Sequence, residues 1–169
     1  MPAGKDFIKH EFDEAIAIQQ IIIESGKELS TAHPVAAARA ALKELQPTAE
    51  QQLETLQSFG ALFGAKGKKE DVVKGMESLM KKVLTKAKEK GKEEESEAYE
   101  AHAVLLSLFR KQQDSAPAMQ KIAEDRDDAK MATAARKMKR ELDAATKQLS
   151  ELLADFAVRI ANQPESKVA

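Results

Sequence analysis

Met131 to Phe156 reads MATAARKMKRELDAATKQLSELLADF, and the fold is decided there. Met131, Ala135, Met138, Leu142, Ala145, Leu149, Leu152 and Phe156 follow one another at alternating spacings of 4 and 3 residues. Such spacing puts them on one stripe of an α-helix, because 3.6 residues complete a turn. A stripe this regular packs against near-parallel neighbours crossing at about 20°. A helix with one such seam needs partners, so the rest of the chain should supply further amphipathic helices.

Working outward, five helical segments can be read. The last spans about 117–161, with a bend or break expected at Glu124-Asp125-Arg126-Asp127-Asp128, which is too polar to bury. Before it, a segment over about 93–113 carries Ala98, Ala101, Leu105, Leu108 and Phe109 on one face. Asp114-Ser115-Ala116-Pro117 reads as its end and the start of the next. A segment over about 70–89 carries Val72, Val73, Met76, Leu79, Met80, Val83 and Leu84, flanked by lysines. The second segment, about 34–64, has its seam on Ala38, Leu42, Leu45, Ala49, Gln52 or Leu53, Leu56, Gly60 and Phe63, with a kink or short break expected at Pro47. The first, about 5–29, carries Ile8, Phe12, Ala15, Ile22 and Leu29. Ser30 or Thr31 and then Pro34 mark a stop and restart. Gly64 to Lys69 reads as a loop, and Lys90-Gly91-Lys92 as a break.

Four seams of similar length, in the first, second, fourth and fifth segments, predict an all-α antiparallel bundle. The third helix is an extra amphipathic element in a long crossover. Residues 1–162 form one domain in this reading, and 163–169 a flexible tail. The far half of the long last helix exceeds what one bundle covers, which points to a homodimer. No signal-peptide-like apolar stretch opens the chain and no apolar run approaches a membrane span, so a cytoplasmic setting is expected.

Composition narrows the chemistry. With 169 residues, no Cys, no Trp and only 4% aromatics, there are no disulfides, thiolate metal sites or Cys nucleophiles. Lys+Arg 27 against Asp+Glu 28 leaves no global field to draw nucleic acid, so no specific nucleic-acid binding is expected. No Gly-rich phosphate loop or nucleophile elbow occurs, and the chain leans away from being an enzyme. Carboxylate and imidazole chemistry remains. Gln19 falls four residues after Ala15 and three before Ile22, inside an apolar stripe. His102 falls four after Ala98 and three before Leu105. Both are expected to be buried polar residues that need partners. Glu97 and Glu100 share a helix face, and Glu141 flanks the last seam. Glu97, Glu100, Glu141 and His102 are therefore the candidate metal ligands, converging with Gln19 if an internal site exists, with iron or manganese as the candidate metal. The Glu-x-x-His signature of a two-metal bundle is missing, since none of His10, His33 and His102 has a Glu three residues before it. A metal-free protein is the stronger expectation. The stretch from Lys66 to Lys92 holds ten Lys and four acids. Lys74, Lys81, Lys82, Lys86 and Lys88 are candidates to bind an anionic surface such as a lipid or polymer granule.

The opening Phe7-Ile8-Lys9-His10-Glu11-Phe12-Asp13 resembles the Phe-Leu-x-x-Glu-Leu-x-Asp start of the bacterial ferritin-like proteins of the YciF type. Leu42 to Leu56, ending in Leu62-Phe63-Gly64, is similar to that family's second helix, Glu97-Ala98-Tyr99-Glu100 to its Glu-x-x-Glu segment, and Glu141 to an acid of its last helix. The resemblance implies a ferritin-like bundle with a stress-related or interaction role. Gln19 stands where the family has a glutamate ligand, and Glu44 and Pro47 where it has a His and a Glu. Those departures argue against ferroxidase activity and leave Glu97, Glu100 and Glu141 as a remnant.

Overall fold

The computed structural model describes residues 3–165, and among these every regular element is a helix: α1 Lys5–Ala32, α2 Ala36–Ala61, α3 Asp71–Lys90, α4 Glu95–Asp125 and α5 Ala129–Ala161. None is long and apolar enough to cross a membrane. Helix α1 packs on α2 and α4, and α5 packs on the same two, so these four close a ring. Helix α3 lies outside the ring against α1 and α4.

Paired residues give the directions. Phe12 near the start of α1 stacks on Phe63 just past α2. Lys88 at the end of α3 reaches Glu28 at the end of α1. Lys111 in α4 pairs with Glu14, and Arg159 at the end of α5 pairs with Glu95 at the start of α4. If α1 points up, α2 runs down, α3 returns up as a full-length crossover, α4 runs down and α5 runs up. Neighbours in the ring are all antiparallel. The core uses the expected stripes: Ile8, Phe12 and Ile22 of α1, Leu42 and Leu56 of α2, Leu105 and Phe109 of α4, and Leu142, Leu149 and Phe156 of α5 are all buried.

The helix boundaries differ from expectation in three places. Helix α2 runs unbroken through Pro47. Proline frees the carbonyl of Lys43, but Lys43 and Pro47 are both exposed, so water can satisfy that carbonyl while Ala41, Leu42, Ala49 and Gln52 hold the buried face on either side. Helix α4 does not stop at Asp114–Pro117 but continues to Asp125, because Ala116, Met119 and Ala123 extend its buried stripe. The break falls instead in the polar stretch 124–128. Asp127 there adopts a left-handed φ of 55°, and the Asp128 carboxylate accepts the Met131 N–H at 2.9 Å as an N-cap. With that split, α5 spans about 50 Å and α4 about 46 Å, and α4 accompanies α5 to its end. At the end of α1, Ser30 and Thr31 do not cap. Their hydroxyls donate back to the carbonyls of Lys27 and Glu28, and Pro34 forces His33 into extended geometry. On α3, Val72 and Leu79 are exposed, whereas Val73, Met80, Leu84 and Ala87 are buried. Of the expected tail over 163–169, Gln163 donates to Glu95 at 2.7 Å, and residues 166–169 lie outside the described residues.

The α2–α3 connection is anchored by one carboxylate. Gly64, at φ 76°, closes α2 with Ala65 N–H on Gly60 O and Gly64 N–H on Ala61 O, a pattern that needs the left-handed conformation. The chain then passes over Asp13, which is 3% exposed. Asp13 Oδ1 accepts the N–H groups of Lys66, Gly67 and Lys68 at 2.7, 2.9 and 3.1 Å, and Oδ2 accepts Lys9 Nζ at 2.6 Å. Burial pushes this carboxyl up, but Lys9 and the three amides outweigh it and hold it at about 2. Gly67 has φ 80°, and a Cβ there would stand 2.7 Å from Ile16 Cγ2.

Replacing Asp13 by Ala strands three backbone donors and should cost about 2–3 kcal/mol in urea unfolding, with Gly67→Ala also destabilising; a loss under about 0.5 kcal/mol for both variants, the range of ordinary surface changes, would contradict this anchoring. The Asp13 contribution is present above the unfolded carboxyl value of about 4 and is lost as pH falls through about 2.

Candidate functional site

Midway along the bundle, one polar side chain from each ring helix joins a single hydrogen-bonded layer. Gln112 of α4 donates through Nε2 to Ala15 O at 2.9 Å and to Gln19 Oε1 at 2.8 Å. Gln19 of α1 donates through Nε2 to Ala49 O at 3.0 Å and to Gln52 Oε1 at 3.1 Å. Gln52 of α2 donates to Glu141 Oε2 of α5 at 3.0 Å. Gln19, Gln52 and Gln112 are all buried. The chain of amides has one direction, with each NH₂ serving the next oxygen, and it ends on a carboxylate. Amide dipoles aligned in this way polarise one another towards the Glu141 charge. Lys137 lies 3.7 Å from the same carboxylate on its outer side. At the other end of the chain, Gln112 Oε1 is buried without a partner.

A second polar group lies towards the upper end of the bundle, about 15 Å away along α4, as the ten residues from His102 to Gln112 imply. His33 Nδ1 accepts the Val35 N–H at 3.0 Å. A backbone N–H is always a donor, so in the neutral ring the His33 proton is on Nε2. That atom is 3.2 Å from His102 Nδ1, which must then accept. His102 Nε2 consequently carries its proton and donates to Leu149 O at 2.9 Å. Phe156 packs on His33, and Tyr99 packs on Phe156. Burial, then His102, Arg39 and Arg159, push His33 down to about 3. Burial also lowers His102, although the Leu149 carbonyl works against it. Both rings are therefore neutral near pH 7.

The sequence-derived candidates separate into these two places and the surface. Gln19 and Glu141 share the mid-bundle layer through Gln52. His102 belongs to the histidine pair. Glu97 is half-buried and Glu100 exposed, both on α4, and neither joins either group. Among the described residues no three or more His, Asp or Glu side chains gather where they could hold a metal ion. The expected convergence of Glu97, Glu100, Glu141, His102 and Gln19 is thus replaced by two separate polar sites. Three participants escaped the sequence reading. Gln52 was read as an alternative to Leu53 on the seam. Gln112 follows Phe109 by three residues on the α4 stripe, but it lay at the edge of a segment expected to stop at 113. His33 was read as a loop residue beside Pro34, and no local signal brings a loop residue into a core.

A two-metal centre in this architecture needs carboxylates from all four helices and a Glu-x-x-His pair on two of them. The mid-bundle donor set is three amides and one carboxylate, and the amide NH₂ groups point at the other members. A dication placed there would meet N–H donors, so the residues present do not fit iron or manganese. The apolar space between Phe12, Leu56, Phe59, Met119, Met131 and Met138 holds about 10 Å³, at the threshold for one water. No protein-family model and no curated protein matches this chain.

Replacing Gln19 by Leu would leave Gln112 Nε2 and Gln52 Oε1 each short of a partner and should cost about 2–4 kcal/mol in denaturant unfolding. A triple Leu replacement of Gln19, Gln52 and Gln112 should cost less than the sum of the single changes, because no buried amide is then left half-satisfied; strictly additive losses would argue against a connected layer.

Proposed function

We propose that this chain is a ferritin-like helical bundle of the YciF-type resemblance, without ferroxidase activity, that serves an interaction or stress-related role. The order down, up, down between α2, α3 and α4 supports this reading, since ferritin-like bundles have one long crossover connection. The observation that carries the reading is the layer Gln112–Gln19–Gln52–Glu141. It takes one residue from each ring helix at mid-bundle, where ligands would be drawn from in a metal-binding relative, and fills those positions with amides already bonded to one another. Elemental analysis of the protein as purified, with Fe(II) oxidation followed in the same sample, tests it. Substoichiometric metal and oxidation at the buffer rate are expected. About two iron or manganese ions per chain, the loading of a complete centre, would overturn it.

A second reading is favoured by the exposed side of α3. Val72 and Leu79, 63% and 50% exposed, are seven residues apart on one stripe, which continues through Lys82 and Lys86. Lys74, Lys81 and Lys88 are engaged by Asp71, Glu77 and Glu28. Lys82 and Lys86 have no acidic partner among the described residues and are the free cations of the set. An apolar stripe continued by unpaired lysines suits an anionic lipid or polymer surface. Sedimentation with phosphatidylserine vesicles at low salt should retain the protein, and Lys82→Glu with Lys86→Glu should weaken retention by roughly fivefold per lysine or more. Retention unaffected by salt or by the double change would count against it.

A further inference from the structure

We propose that the His33–His102 pair is an acid-sensitive latch that holds the α1–α2 corner onto α4 and α5, and that proton uptake by the pair releases that corner while the opposite end of the bundle stays closed.

The hydrogen-bond chain limits how many protons the pair can hold. The chain Val35 N–H to His33, His33 N–H to His102 and His102 N–H to Leu149 O uses all four ring nitrogens once. A proton added to His33 Nδ1 would face the Val35 N–H. A proton added to His102 Nδ1 would face the His33 N–H. The pair therefore gains a proton only by breaking one of its bonds, which is different from an exposed histidine that titrates in place.

Among the described residues, the surroundings offer no unpaired acid to stabilise the cation. From α2, Arg39 donates to the carbonyls of His33 and Pro34 at 2.6 and 3.0 Å, adding positive charge beside the pair. From α5, Arg159 is also felt as a positive charge. From α4, Glu95 is the nearby acid, and its two oxygens are taken by Arg159 and Gln163, while Tyr99 contributes only a ring packed on Phe156. From α3 and α1, Lys88 and Glu28 neutralise one another. Both histidines are almost fully buried, with 1% exposure each, so water cannot solvate the charge without local opening.

The two ends of the molecule then respond to different acidity. The pair penalises the folded form below the unfolded histidine value of about 6.5, because the unfolded chain takes up protons that the folded one refuses. The loop anchored on Asp13 at the lower end keeps its charge until about pH 2. The Arg159–Glu95 contact joins α5 to α4 without involving the α1–α2 corner. What comes free near pH 5 is the corner formed by the end of α1, Pro34 and the start of α2.

Two measurements on the full chain test this. In wild type, histidine ring NMR should show the Nε2–H form of both residues at pH 7.5. Amide exchange corrected for intrinsic rates should lose protection around Leu29–Val35 by up to tenfold per pH unit below 6 for each proton taken up, while the amides of Lys66 to Lys68 stay protected. The variant His33→Asn, His102→Gln keeps an acceptor for Val35 and a donor for Leu149 without a titrating ring, and it should show no such acid step. Unchanged protection at the corner between pH 7 and 5, ring protonation without loss of protection, or the same acid step in the variant would each overturn the proposal. If the variant does not fold, the wild-type exchange and ring signals decide alone.

Discussion

One carboxylate oxygen, Asp13 Oδ1, takes three consecutive backbone N–H groups from the α2–α3 connection, and the course of the whole chain depends on it. Beyond Phe63 and Ala65, the stretch Lys66-Gly67-Lys68-Lys69 brings no apolar side chain to lie against α1. Its amides hold it there, because a buried acceptor satisfies them and the resulting charge-assisted bonds are stronger than those they would make to water. With the connection held there, α3 starts low on α1 and climbs beside it, so α4 must begin at the top and run down. The direction of half the bundle follows from that contact.

Inside the ring, polarity is concentrated in two places. The mid-bundle layer links all four ring helices with amides, and the histidine pair links the α1–α2 corner to α4 and α5. Apolar seams can slide by a turn with modest loss, but a directional chain of amides cannot, since each oxygen must meet a particular NH₂. The layer is thus an account of register as well as of missing metal chemistry. Its one unmet atom, Gln112 Oε1, lies at the end farthest from the Glu141 charge.

The helical class, the four seams and the outside position of the third helix were legible in the sequence, because a period of 3.6 residues shows wherever one face is buried. Boundaries were less legible. Pro47 and Pro117 are breakers by local rules, yet both lie within helices whose buried faces continue on either side. The polar run 124–128 was legible as too polar to pack and as a bend or break, and it divides α4 from α5. Gln19 and His102 announced themselves as polar residues on apolar stripes. Their partners did not: Gln52 competes with Leu53 for the α2 seam, Gln112 lies at the edge of a segment that local rules end at 113, and His33 looks like a loop residue.

By itself the sequence determined what chemistry is excluded, since residue types that are absent cannot act, and it determined which faces must be buried, since that depends only on spacing along one helix. Only the tertiary structure decided which buried polar groups meet. Glu97, Glu100, Glu141 and His102 share compatible chemistry, but three lie on one helix and the fourth on another, and helix phase together with antiparallel register sends them to different levels and sides. Gln19 and Gln112 stand 93 positions apart and are bonded, because a hydrogen bond depends on the position of the folded helices and not on distance along the chain.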